Sequence, residues 1–65
     1  MNIDYADAIL KLRAYLNISQ EEFAKLLGVS FTSINRWEAI RHEPIIKIKR
    51  KIVDLCKENN ISLED

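Results

Sequence analysis

The chain has 65 residues, with ten basic and ten acidic side chains, so it forms one domain at most and carries no net charge. Its 48% hydrophobic and 31% charged content is typical of a globular chain and excludes disorder. A single cysteine, Cys56, and a single histidine, His42, exclude an internal disulfide and a zinc cluster, and they favour a reducing, cytoplasmic compartment. One glycine and one proline leave little material for β-turns, which favours an all-α fold, and no apolar run is long enough to predict a membrane span.

A first helix is predicted over residues 4–16. Asp4 suits its N-terminal end, where the helix dipole attracts negative charge. Ile9, Leu12 and Leu16 recur on one face and form its apolar stripe. Asn17 tolerates the left-handed conformation that stops a helix, so we expect the helix to end there.

Residues 19–30 carry the start and stop signals of two further short helices. Ser19 and Glu22 have the spacing of a capping box, which starts a second helix over about 20–27. Gly28 ends that helix, because glycine adopts the left-handed conformation without a Cβ clash. Ser30 is placed to cap a third helix over about 31–38.

The third helix presents only Ile34 and Trp37 to the core, so its other face is polar and cationic. A helix this short depends on its neighbours for stability. Two such helices joined by a tight turn predict a helix-turn-helix, which presents its second helix to the DNA major groove.

A fourth helix is predicted over about 44–58. Pro44 is pre-organised for its first position, and Asn59-Asn60 ends it. The positions of its core stripe recur at helical spacing: Ile45, Ile48, Ile52, Leu55 and Cys56.

The positive charge is concentrated in one part of the chain. Residues 31–51 hold six basic and two acidic side chains, a balance of +4, whereas residues 1–30 and 52–65 have balances of −1 and −3. The positive field therefore covers the third helix and the residues up to position 51. Part of the run from Lys47 to Lys51 is equally explained as a solvated helix face.

The segment LNISQEEFAKLLGVSFTSINRWE resembles the lambda-repressor/Cro-like (XRE) helix-turn-helix family. The resemblance implies a compact all-α domain of four to five helices over residues 1–65, with the helix-turn-helix at about 20–38. Its fifth helix, which would start in residues 61–65, is truncated or absent. The pattern is matched without a gap at Leu16, Ser19, Gln20, Phe23, Ala24, Leu27, Gly28, Val29, Ser30, Ile34, Trp37 and Glu38.

The resemblance also implies which side chains meet DNA. Base contacts fall on Phe31, Thr32, Asn35 and Arg36, and phosphate contacts on Gln20, Ser33, Arg41 and Lys47. Arginine suits guanine, and asparagine suits adenine. Phe31 either packs on a thymine methyl or folds back onto the protein. Gln20 either binds a phosphate or only helps to cap its helix, and Ser33 either reaches a phosphate or bonds its own helix.

Two positions concern the end of the recognition helix. Arg13 resembles the family arginine that pairs with the glutamate ending that helix, here Glu38; the alternative is an exposed, unpaired arginine. The family carries glycine near position 40, where this chain has Ile40. A β-branched residue is disfavoured in the left-handed conformation, so we expect the third helix to run one turn longer or the loop to take another path.

The sequence thus predicts sequence-specific binding of double-stranded DNA, as a transcriptional regulator or repressor. We expect a homodimer with its recognition helices about 34 Å apart. The alternative is an antitoxin-type or other protein-interaction domain with the same fold. No nucleophile–base pair, metal cluster or cofactor motif is present, so we expect no enzyme activity, metal or cofactor. The apolar side chains available for a dimer interface are Ile46, Val53, Ile61 and Leu63.

Overall fold

The structure is a computed structural model that describes residues 3–63. Across these residues the chain forms four helices and no strand, which confirms the all-α prediction. The segment predicted to start a fifth helix is not helical over residues 61–63, and its last two residues, Glu64 and Asp65, lie outside the described part. In chain order the helices are α1 (Tyr5–Leu16), α2 (Gln20–Leu27), α3 (Phe31–Glu38) and α4 (Ile46–Glu58).

Three of the four helices begin at a side-chain cap. Asp4 accepts a hydrogen bond from the N–H of Asp7 at the start of α1. Ser19 and Glu22 form the predicted capping box of α2 in both directions, and this bonding lowers the pKa of the Glu22 carboxyl. Ser30 caps α3 as predicted. These local bonds satisfy N–H groups that have no partner within a helix, which is why these boundaries can be predicted from the sequence.

The predicted start of the fourth helix at Pro44 is wrong. Helix α4 begins at Ile46, its N-cap is Ile45, and no side chain accepts a hydrogen bond at this end. Pro44 is buried in the extended segment that connects the α3 turn to α4. Ile45 is 67% exposed and does not belong to the core stripe, because its extended backbone turns its side chain off the buried face.

Each of the four helices is followed, one or two residues after its last residue, by a residue with a left-handed backbone: Asn17, Gly28, Ile40 and Asn60. At each end the next N–H bonds a carbonyl five residues earlier, as in a Schellman motif. The expectation that Ile40 would lengthen the third helix or redirect the loop is wrong, because α3 ends at Glu38 and Ile40 itself adopts φ 60°. Two backbone bonds hold this turn, from Ile40 N–H to the Trp37 carbonyl (3.2 Å) and from Arg41 N–H to the Arg36 carbonyl (3.0 Å).

The core lies where α1 packs on α3 and α4 while α2 packs on α3. Trp37 is partly buried and packs against this core from α3. Burial raises the pKa of the Cys56 thiol, which suits a side chain that fills space in the core. The largest fully buried side chains are Ile9, Leu12, Phe23, Leu27, Ile34, Ile52 and Cys56.

Two of the apolar side chains considered for a dimer interface, Ile61 and Leu63, are partly buried against the chain's own core. Val53 is also partly buried, and Ile46 is 73% exposed. No described helix is both long enough and apolar enough to cross a membrane.

Candidate nucleic-acid interface

Helix α3 has one side that faces the core and one side that is exposed. Ile34 is fully buried, whereas the four residues predicted to contact bases are all exposed. Phe31 keeps 48% of its surface exposed, so it is not folded back into the core. The four exposed residues lie at spacings of one, four and five along the helix, which places them on one face: Phe31, Thr32, Asn35 and Arg36.

A network of hydrogen bonds fixes the C-terminal end of α3. The Nη1 of Arg13 donates to both carboxylate oxygens of Glu38, at 2.8 and 3.0 Å, and its Nε donates to the carbonyl of Ile18 at 3.3 Å. The side chains of Arg13 and Glu38 are only 24% and 11% exposed. The pair therefore ties α1 to the end of α3 in a partly dry environment, where the attraction between opposite charges is stronger than on an open surface and removal of one partner is costly.

Gln20 joins the same network, which the sequence reasoning missed. Its amide nitrogen donates to Glu38 Oε1 at 2.7 Å, so α1, α2 and α3 meet at one carboxylate. This bond uses one of the two amide N–H groups of Gln20. The side chain predicted to contact a phosphate at Gln20 is therefore already held in place by Glu38. The residues are 18 apart in sequence, and no local pattern signals such a bond.

The six cations of residues 31–51 divide into engaged and free groups. Lys49 pairs with Glu43 at 3.0 Å and lies 5.1 Å from the centre of the Tyr5 ring. Lys51 donates to the carbonyl of Leu27 at 3.2 Å, at the C-terminal end of α2. The other four cations are exposed and form no ion pair within residues 3–63: Arg36, Arg41, Lys47 and Arg50.

The N-terminus of α4 leaves its positive end unbalanced. No side chain caps it, its first turn has no acidic residue, and Lys47 lies exposed there. Unbonded N–H groups and the helix dipole attract anions, so this end is open to a phosphate.

Arg41 lies in the loop before α4, beside a surface hollow of about 780 Å³. The hollow lies between the first residues of α1, the end of α3 and the start of α4. Its lining includes Tyr5, Trp37, Ile40, Arg41, His42 and Lys49. Ser33 is elsewhere, in the first turn of α3, where its hydroxyl lies 3.0 Å from that of Ser30.

No group of three or more histidine, cysteine, aspartate or glutamate side chains within residues 3–63 could hold a metal ion. The arrangement instead offers a polar helix face, free cations and an uncapped helix end, which are groups that contact nucleic acid.

The comparisons with known proteins give one result. A family model described as Helix-turn-helix matches residues 9–44, just over half of the chain. The match covers most of α1, all of α2 and α3, and the loop up to Pro44. Searches of the curated proteins and of the solved structures returned no match. The chain belongs to the lambda-repressor-like (XRE) helix-turn-helix family of DNA-binding domains.

Proposed function

We propose that this chain binds specific sequences of double-stranded DNA and regulates transcription, with α3 in the major groove. The observation that carries the proposal is that α3 has an exposed face and a core-facing side. Four side chains capable of base contact are exposed on one face, while Ile34 and the Glu38 network fix the helix from the other side and its end. A rigid helix with an exposed reading face is what direct readout of base edges needs.

The positions of the free cations support the phosphate contacts. Arg41 in the loop and Lys47 at the open N-terminus of α4 come soon after the end of α3 in sequence, and both side chains are exposed. Phosphate contacts position the protein, and base contacts specify the sequence. Two copies on adjacent half-sites give enough base contacts for useful specificity, because one helix-turn-helix reads only a few base pairs.

Selection of bound sites from random duplex DNA with the purified chain tests the proposal directly. We expect one enriched motif, arranged as a palindrome if two copies bind. Recovery of no enriched motif at low salt would contradict DNA reading and favour a protein-interaction domain with this fold.

On the selected site, Arg36→Ala and Arg41→Ala separate reading from positioning. Arg36 lies one turn after Thr32 on the exposed face, so we expect Arg36→Ala to cost roughly 1–3 kcal/mol and to flatten the preference at one base pair. Arg41→Ala should weaken binding to all sequences equally and reduce the salt slope by about one unit per site.

Titrations on the selected site, its single-base variants and random duplex at several salt concentrations make this measurement. Lys57→Ala is the matched control, since Lys57 is an exposed helical cation in the acidic C-terminal segment. If Arg36→Ala lowers affinity equally for every duplex, Arg36 is not a reading residue.

A further inference from the structure

A cation from another helix holds the C-terminal end of α2. The Nζ of Lys51, in α4, donates to the carbonyl of Leu27 at 3.2 Å, and this bond is partly buried. Leu27 is the last residue of α2, so its carbonyl has no partner within the helix. The N–H groups of the following turn bond the carbonyls of Ala24 and Lys25 instead. Lys51 therefore satisfies a carbonyl that the turn leaves free, and its charge meets the partial negative charge of a helix C-terminus.

Lys51 also crosses a gap between α2 and α4. The main packing of α2 is on α3, whereas α4 packs on α1. A hollow of about 240 Å³ lies between α2 and α4, and its lining includes Leu26 from α2 and Leu55 from α4. Within residues 3–63, the bond from Lys51 to Leu27 is the one side-chain hydrogen bond or ion pair that joins these two helices. Lys51 is therefore the polar link that sets how the end of α2 lies on α4.

The bonded carbonyl lies directly before the turn of the helix-turn-helix. Residues 28–30 form this turn, and Ser30 in it caps α3. Two of the predicted base contacts, Phe31 and Thr32, follow at once as the first residues of α3. A displacement of the Leu27 carbonyl is therefore passed through three residues to the N-terminal turn of the reading helix.

The two ends of α3 are thus held from different helices. Its C-terminal end is fixed by the bonds of Arg13 and Gln20 to Glu38, and its N-terminal end follows the turn that Lys51 holds. Helix α3 has only eight residues, so contacts with neighbouring helices fix its orientation. A reading side chain displaced by about 1 Å no longer meets the geometry of a good base contact.

We propose that Lys51 is a positioning residue for DNA reading. It holds the end of α2 and the turn so that Phe31 and Thr32 meet base edges, and it does not itself touch DNA. The proposal rests on the proposed DNA binding and extends it to a residue in a helix outside the helix-turn-helix. It separates Lys51 from cations such as Lys47 and Arg50, which form no ion pair within residues 3–63 and are available to phosphates.

Substitution of Lys51, measured on the selected DNA site, tests this role. Lys51→Met removes the charge and the donor but keeps the apolar stem of the side chain. We expect affinity for the selected site to fall roughly tenfold and the preference at the base pairs read by the first turn of α3 to flatten, with an unchanged salt slope. Lys51→Arg keeps a charged donor, so it should restore the affinity to within about threefold of the wild type.

Lys25→Met is the matched control. Lys25 is an exposed cation in the last turn of α2, so its loss removes charge from the same helix end and leaves the bond from α4 in place. The affinity of Lys25→Met should stay within about twofold of the wild type. An equal loss in Lys25→Met would mean that charge alone acts at this end, and a salt slope lower by about one unit in Lys51→Met would make Lys51 a phosphate contact. Either result overturns the proposal.

Amide hydrogen exchange tests the same role without DNA. The N–H groups of Gly28 and Val29 bond carbonyls of α2. We expect them to exchange roughly tenfold faster in Lys51→Met, while exchange in α1 stays unchanged. Circular dichroism checks folding, and Lys51→Gln replaces Lys51→Met if that variant is unfolded, because its shorter, neutral side chain also loses the charged bond.

The two measurements distinguish failure of this proposal from failure of the proposed DNA binding. If the wild-type chain selects no DNA motif, the proposed DNA binding fails and the role of Lys51 in reading falls with it, whereas the exchange still shows whether Lys51 holds the turn. If the wild-type chain binds a motif and Lys51→Met leaves the affinity or the exchange of the turn unchanged, the positioning role of Lys51 alone is overturned.

Discussion

The N-termini of α2 and α4 differ in how their free N–H groups are treated. At α2 the protein satisfies its own helix end: Ser19 and Glu22 close a capping box, and Gln20 bonds to Glu38. At α4 no side chain caps the end, and the first turn contains a lysine and no acid. The first end is completed within the fold, whereas the second is the end that we propose to face a DNA phosphate.

The two helix ends also differ in what they contribute to the protein. The bonds from Gln20, at the start of α2, and from Arg13 of α1 to Glu38 join three helices and so define where α3 lies. The start of α4 contributes little to its own helix, and we infer that its composition serves binding. Substitutions at the two ends should therefore affect different measurements.

The largest effect on stability is expected in the hydrogen-bond network of Arg13, Gln20 and Glu38. Arg13→Ala should lower the free energy of unfolding by about 1–3 kcal/mol, because Glu38 stays charged and nearly buried. Removing both partners should cost less than the sum of the single changes. Urea unfolding of Arg13→Ala, Glu38→Ala and the double variant gives the coupling energy.

The exposed pair Asp7–Lys11 serves as the control for this cycle. Both side chains are about half exposed, and their nitrogen and oxygen atoms lie 2.9 Å apart. Its coupling should be about 0.5 kcal/mol or less. An Arg13–Glu38 coupling no larger than that of Asp7–Lys11 would show that the network does not hold α3.

Removing a cap should matter at α2 and not at α4. Ser19→Ala should destabilise the fold by about 1 kcal/mol, since it leaves N–H groups of the first turn without an acceptor. Ile45→Ala removes an exposed side chain from an end that has no cap bond, so its unfolding midpoint should stay close to that of the wild type. Equal losses of stability in Ser19→Ala and Ile45→Ala would show that the two helix ends do not differ in capping.

Adding a cap at α4 should move stability and DNA affinity in opposite directions. Ile45→Asp supplies an acceptor and a negative charge to the free helix end, which should stabilise the chain by about 0.5–1 kcal/mol. The same carboxylate occupies the end proposed to face a phosphate, so binding to all duplexes should weaken. Thermal unfolding and DNA titration measure the two effects.

Ile45→Asn is the companion variant, because asparagine caps without a charge. It should give the part of the stability gain that comes from the cap bond, and it should weaken DNA binding less than Ile45→Asp does. Unchanged DNA affinity in Ile45→Asp would place the phosphate contacts away from α4.

The smallest effect is expected at the turn that leads to the open end. Ile40 adopts a left-handed backbone, which is costly for a β-branched residue, and its side chain is 78% exposed. Ile40→Gly should therefore stabilise the chain by about 0.5 kcal/mol, the relief of strain less the added freedom of the unfolded chain. Asn17→Gly is the control and should give no gain, because asparagine already tolerates this conformation. Loss of stability in Ile40→Gly, measured by urea unfolding, would mean that the isoleucine side chain contributes contacts that outweigh the strain.

The bounds of α2 and α3 and the buried faces of Ile34 and Trp37 could be predicted from the sequence. Caps, stop residues and helical spacing act between residues at most a few positions apart, so they can be read in the sequence itself. The resemblance further named the reading face of α3, and the structure leaves all four of those side chains exposed.

Only the tertiary structure decided the turn at Ile40, the late start of α4 and the partners of Gln20, Lys49 and Lys51. The backbone bonds to the Trp37 and Arg36 carbonyls hold Ile40 in a conformation that its own preference opposes. Lys51 reaches the Leu27 carbonyl across 24 positions, and Gln20 reaches Glu38 across 18. These contacts depend on how whole helices pack against one another, and a sequence pattern that repeats over three or four residues carries no information at that range.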